Sequence, residues 1–203
     1  MRNSLRACAW AVAFTTVICA GPALADGHIT TCDRLAAHPE DPDKVVAGVP
    51  TADVDLPAAI TACEVEVEAD PTDMRATYQL ARVYFYAGRS AEAVATMEKA
   101  AEGGYRQAQF VMGALISNNR PDASDDICDA ERWWFGSAKN GRLAAQVSYV
   151  RHVTKGLFDG CTLHGSVKDM TGFLDNVRAN ESDYYLRLLV ADLTEDLNAY
   201  RAR

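Results

Sequence analysis

The sequence predicts an all-α protein, a short solenoid of helical hairpins with helical caps at its N- and C-terminal ends. Three observations predict it. Apolar residues between positions 76 and 155 recur at three- and four-residue spacing, the period of one helix face. Each periodic run ends at a Gly, an Asn-Gly pair or, for the third, near Asn118, where Gly or Asn acts as a helix stop. And Ala93, Ala101, Gly104, Ala108 and Gln109 recur 37 positions later as Ala130, Ala138, Gly141, Ala145 and Gln146. A self-similarity of that length marks a stacked helix–turn–helix unit. The 203-residue chain is 49% hydrophobic and 24% charged, the composition of a globular protein, which excludes a disordered or collagen-like chain. Its net charge of −8 argues against a nucleic-acid partner.

Taken in order, residues 1–25 read as a signal peptide. Arg2 and Arg6 form a positive head, an uncharged run follows, Gly21-Pro22 breaks the helix, and Ala23-Leu24-Ala25 is a cleavage site. The run is rich in Ala and Thr and too weakly apolar for a spanning anchor, which needs about 20 strongly apolar residues. Neither Cys8 nor Cys19 has a lipobox ahead of it. The mature protein is therefore expected in the periplasm, or secreted outright, and not embedded in the membrane. With cleavage after Ala25 it begins Asp26-Gly27-His28. A free amine, two backbone amides and an imidazole at position three make a planar set of four nitrogens, suited to Cu(II) or Ni(II).

Four cysteines remain beyond the signal: Cys32, Cys63, Cys128 and Cys161. In an exported chain they imply two disulfides, for which three connectivities exist. None lies in a C-x-x-C pair, which argues against a zinc knuckle and a thioredoxin-type redox site.

Residues 26–72 form an N-terminal leader stapled by a disulfide, and 73–156 the repeats. Helices are expected over 74–87, over 90–103 with Ser90 as cap and Ala93, Val94, Met97, Ala100 and Ala101 inward, and over 105–117. A polar loop spans 117–126. Further helices carry Ala130, Trp133, Trp134 and Ala138, and then Ala144 to Lys155. Adjacent helical positions point about 100° apart, so one of Trp133 and Trp134 is expected in the core and the other half exposed. Residues 157–203 read as a C-terminal cap of two helices. In the second, Ser182 is the expected cap, and Tyr185, Leu188, Leu189, Leu193, Leu197 and Tyr200 are expected inward.

Leu80-Ala81, Tyr84, Gly88, Glu98-Lys99-Ala100-Ala101, Gly104 and Ala108 resemble a Sel1-like repeat, a relative of the tetratricopeptide repeat. Trp133/Trp134, Ser137-Ala138 and Gly141 resemble a second unit. Met97 stands where the family has Trp, Ala81 where it has Gly, and the 118–127 loop lacks the usual glycines. The string Cys32-Asp-Arg-Leu-Ala-Ala-His-Pro, with Ala58-Ala-Ile-Thr-Ala-Cys63 and Asp70-Pro71, resembles a leader found ahead of such repeats in exported proteobacterial proteins. The resemblance implies an α–α superhelix that acts as a protein-interaction scaffold. In such a solenoid neighbouring helices run antiparallel, which brings Cys128 beside Cys161, and the same hairpin logic pairs Cys32 with Cys63. The first helix of each related unit lines the concave face, so Tyr78, Arg82, Phe85, Tyr86, Gln109 and Tyr149 are the expected contact residues.

No G-x-S-x-G, S-x-x-K, H-E-x-x-H or P-loop occurs. His152 and His164 flank Cys161, an arrangement for a Cys–His nucleophile if the thiol were free; the expected reading is an oxidised cysteine with both His as polar surface or loop residues. Glu64, Glu66 and Glu68, with Glu40, Asp41 and Asp43, lack EF-hand spacing and read as solvated carboxylates. The expected function is non-enzymatic and needs no cofactor: a scaffold whose groove binds a protein or peptide. The alternatives are binding of a peptidoglycan fragment, as an enzyme-accessory module, and metal binding at the N-terminus.

Overall fold

The computed structural model describes residues 28–180 and 183–202. The signal peptide, Ser182, and Asp26 and Gly27 of the nitrogen-ligand motif lie outside them; His28 is exposed. Among the described residues all regular structure is helical. The elements are α1 (Thr31–Ala36), a 3₁₀ turn over Thr51–Asp53, α2 (Leu56–Ala69), α3 (Met74–Tyr86), α4 (Ser90–Glu102), α5 (Arg106–Ser117), α6 (Ile127–Lys139), α7 (Leu143–Thr154), α8 (Val167–Asn180) and α9 (Tyr184–Arg201).

Local chemistry sets the boundaries. Thr30 and Asp33 close a capping box at α1. Asp55, Asp73, Asp126 and Asp183 each accept a first-turn backbone N–H, starting α2, α3, α6 and α9. Ser90, the expected cap of α4, is instead its first residue, and Arg89 before it makes no side-chain cap. Gly104 and Gly141 end α4 and α6 at φ of +85° and +81°, where a side chain would be strained.

Each helix packs on the next in sequence, and α9 also returns to α7. The packing repeats where the sequence does. Gln109 Nε2 donates to the Ala101 carbonyl at 3.1 Å, and 37 residues on Gln146 Nε2 donates to Ala138 at 3.1 Å. Each glutamine then accepts from an asparagine of a later helix or turn, Asn140 on Gln109 and Asn176 on Gln146.

One core runs from α3 to α9 around Met97, Met112, Trp133, Trp134, Tyr149 and Leu174. A second joins α1 and α2 to the other side of α3 through Cys32, Ala59, Cys63, Leu80 and Val83. Both tryptophans are buried, against the expectation of one half exposed. The Arg132 guanidinium lies 4.1 Å over the Trp133 ring and covers it. Trp134 stacks on His152 at 4.4 Å, donates to the Phe110 carbonyl, and fits only because position 113 is Gly. A Cβ there would meet Trp134 Cδ1 at 2.6 Å. In α9 the inward stripe runs Val190, Leu193, Leu197, so Tyr185 and Leu188 fall off it and are exposed.

The disulfides are Cys32–Cys63 and Cys128–Cys161, with Cα separations of 4.7 and 5.5 Å. The second is half of a double clasp. Cys128 and Glu131 lie one turn apart on α6, and Cys161 and His164 are three apart in the loop that precedes α8. Buried Glu131 accepts from the His164 backbone N–H at 2.8 Å, contacts its Nδ1 at 2.6 Å, and takes the Tyr149 hydroxyl at 2.6 Å. Cys161 is thus oxidised and offers no nucleophile, and His164 holds its loop to the body.

Candidate functional site

The candidate site lies on the face where α3, α5 and the start of α7 come together. A polar ladder marks their side-by-side order: Arg142, before α7, donates to Gln107 of α5 at 2.6 Å, and Gln107 donates to the Tyr78 hydroxyl of α3 at 3.3 Å. All three side chains are buried. Arg142 also lies 3.9 Å over the Phe110 ring, and burial lowers its pKa from the ordinary arginine value.

Across this face runs the irregular segment 37–50 of the leader. Its backbone is read by Arg82, whose Nη1 donates to the Ala36 and Ala37 carbonyls at 2.8 and 3.0 Å and whose Nη2 donates to Val49 at 2.6 Å. Its carboxylates are read by α5. Tyr105 donates to Asp41 at 2.7 Å, and Arg106 forms a two-point pair with Asp43 at 2.7 and 2.6 Å. Further back, Arg75 and Gln79 of α3 hold buried Asp33. Burial would raise the Asp33 pKa, but hydrogen bonds from Thr30 and Gln79 and the charge of Arg75 outweigh it and hold the carboxyl below its usual range. Asp41, fully buried, is pushed the other way by burial, only partly offset by Tyr105.

Beside the segment opens a pocket of about 180 Å³. Its floor is Ala93 and Met97 of α4. Its walls are Tyr78, Ala81, Arg82, Phe85 and Tyr86 of α3 and Val111 and Leu115 of α5, and His38 of the leader closes one side. His38 Nδ1 accepts the Glu40 N–H at 2.9 Å. Burial, reinforced by Arg82, lowers the His38 pKa from 6.5, so the imidazole is neutral at neutral pH. Arg82 Nε donates to the Tyr86 hydroxyl at 3.0 Å, and the Arg120 guanidinium stands 5.4 Å over the Phe85 ring at the rim.

The expected contact residues divide on this map. Phe85 is exposed, Tyr86 is half-buried, and both line the pocket. Tyr78 and Arg82 line it too, but are buried and engaged within the chain. Gln109 and Tyr149 are buried away from it, the first as the α4–α5 lock and the second on Glu131. An exposed contact role for these four is not what the structure places there: helix period names a face but not what covers it, and here the leader and the next hairpin do. Asp41 and Asp43, expected as solvated, are instead anchors on α5, and Glu64 accepts from Tyr84 at 2.8 Å. Sequence reasoning missed His38, Val111, Leu115, Tyr105 and Arg106. The pairing of Asp41 and Asp43 with Tyr105 and Arg106 spans 64 and 63 residues, too much chain to be read as a local motif.

Among the described residues no cluster of His, Cys, Asp and Glu is arranged to hold a metal ion, and no helix is long and apolar enough to cross a membrane. No protein-family model matches this chain, and no match is found among curated proteins.

Proposed function

We propose that the protein is an exported, non-enzymatic scaffold that binds a protein or peptide segment at the α3/α5 face, and that its hairpins form a short Sel1-like solenoid. One observation carries this reading: a largely apolar pocket lies beside an irregular loop of the chain's own that the same face already holds through carbonyls and carboxylates. Such a face already recognises peptide carbonyls and carboxylates, and the open pocket beside the loop has room for a side chain of a second segment. The recurring glutamine locks support the solenoid, since they repeat the same helix junction at the period of the sequence. The two disulfides support export, because such bonds persist in oxidising compartments. An apolar lining suits a side chain better than a sugar, whose hydroxyls need polar partners, so the glycan reading is second.

A photo-crosslinking amino acid placed at Val111 or, as control, at the exposed Val65 of α2 tests this in periplasm. The expected outcome is one protein adduct from position 111 that is lost when Leu115→Glu places a carboxylate in the apolar lining. Capture that survives Leu115→Glu, or that occurs equally from position 65, rules the site out.

A further inference from the structure

We infer that the pocket takes an acidic peptide anchored by one apolar side chain. This rests on the binding site proposed above and specifies its ligand.

The anchor follows from volume and lining. About 180 Å³ exceeds the roughly 150 Å³ of an apolar cavity that accommodates benzene, so a leucine- or phenylalanine-sized side chain fits. Met97, Val111 and Leu115 offer it dispersion contacts and no hydrogen-bond partner.

The acidity follows from charge. No Asp or Glu lines the pocket. Arg82 is buried, and its hydrogen bonds go to neutral oxygens: three carbonyls and a phenol. Arg120 at the rim is exposed, and among the described residues no carboxylate lies within 4.0 Å of it. Two other cations of the same face are paired with carboxylates. Arg75 has Asp33 and Arg106 has Asp43, both supplied by the leader. The leader shows that this face accepts carboxylates, from α1 at Asp33 and from the turns at Asp41 and Asp43, and none of these pairs with Arg82 or Arg120. Asp41 and Glu40 act on the Tyr78 and His38 side of the pocket, so it is the opposite rim, where Arg120 is exposed, that favours an anionic group and repels a basic one in a protein of net charge −8.

Fluorescence anisotropy with labelled ten-residue synthetic peptides tests this on the full disulfide-bonded protein. The first peptide carries one Leu flanked by Asp and Glu; the second replaces that Leu by Ala; the third replaces the acids by Lys. The first should bind. Affinity should fall about tenfold for the Ala peptide and for a Val111→Glu protein, and about fivefold for Arg120→Glu, with a weaker dependence on salt. Circular dichroism melts confirm that both variants fold. Binding of the Lys peptide as tightly as the acidic one overturns the charge assignment and leaves the binding site standing. Full displacement by millimolar 4-methylpentanoate, a free acid with the same apolar group, overturns the peptide as occupant. If no peptide binds, or if binding is indifferent to Val111→Glu, the site itself falls and the inference with it.

Discussion

Arg82 illustrates how one side chain serves a segment remote in sequence. It sits in the middle of α3, yet its guanidinium satisfies carbonyls at both ends of the leader loop, at Ala36, Ala37 and Val49. Val49 N–H in turn bonds the Ala37 carbonyl at 2.8 Å, so the arginine closes the neck of that loop. Removing it takes the donor from the Ala36 and Val49 carbonyls and one of two from Ala37, in a partly buried site. Arg82→Ala should therefore cost about 3 kcal/mol, read as a lower urea midpoint, and should raise amide exchange between 36 and 50 while sparing α5 to α9. An effect confined to binding, with stability unchanged, would show that the leader does not depend on this residue. From the sequence alone Arg82 reads as a groove residue, because an arginine on an amphipathic helix gives no sign of what it meets. The same holds for Tyr149, an aromatic at helical spacing whose hydroxyl proves to answer a buried glutamate.

At the level of the helices the sequence was more informative, because caps and stops act within four residues. The ends of α3, α4, α5 and α7 fall within a residue or two of the Gly and Asn signals that mark them. The 37-residue offset was visible as matched letters, and the structure supplies their use: each Gln of the repeated Ala-Gln pair ties its helix to the helix before it and accepts from the one after. Gln109→Ala should lower stability by about 1.5 kcal/mol in denaturant titration, and Gln146→Ala by a similar amount, since both lose one donor and one acceptor contact in buried surroundings. Unequal losses, with one near zero, would mean that the two junctions are not equivalent. What the pattern did not disclose was the burial of both tryptophans. That required a glycine at 113 on one helix and an arginine at 132 roofing the other ring, and neither belongs to the periodicity of α6.

For the molecule as a whole, the disulfide pairs followed from hairpin order, whereas the course of residues 37–50 did not follow from any local rule. The whole-molecule titration behaviour depends on that course. His38 and His152 are both held below 6.5, each mainly by burial. A histidine that is harder to protonate when folded adds stability above its unfolded pKa, and that stability is lost as pH falls through the window below about 6.5. Asp33 acts later and in the same sense, losing its contribution only as pH falls through its depressed value. Asp41 opposes them, since its raised pKa favours the folded state while it is protonated. Melting temperature should therefore drop between pH 7 and pH 5, and His38→Gln should flatten part of that drop. An unchanged slope in the variant would place the titrating groups elsewhere.

The tie between Asp43 and Arg106 spans 63 residues, and that between Asp41 and Tyr105 spans 64. A chain emerging N-terminus first exposes its leader long before α5 exists to receive it. The hairpins can assemble from neighbouring contacts, which form quickly, while closure of the leader waits for the longest loop. Segment 37–50 is thus expected to be the last part of this face to settle, and its loss leaves the remaining helices their own contacts. During that interval Arg106 stands open to any acidic stretch nearby. The leader's own carboxylates then act as a timed competitor that reaches its seat by being tethered to it, at an effective concentration that a free chain rarely matches.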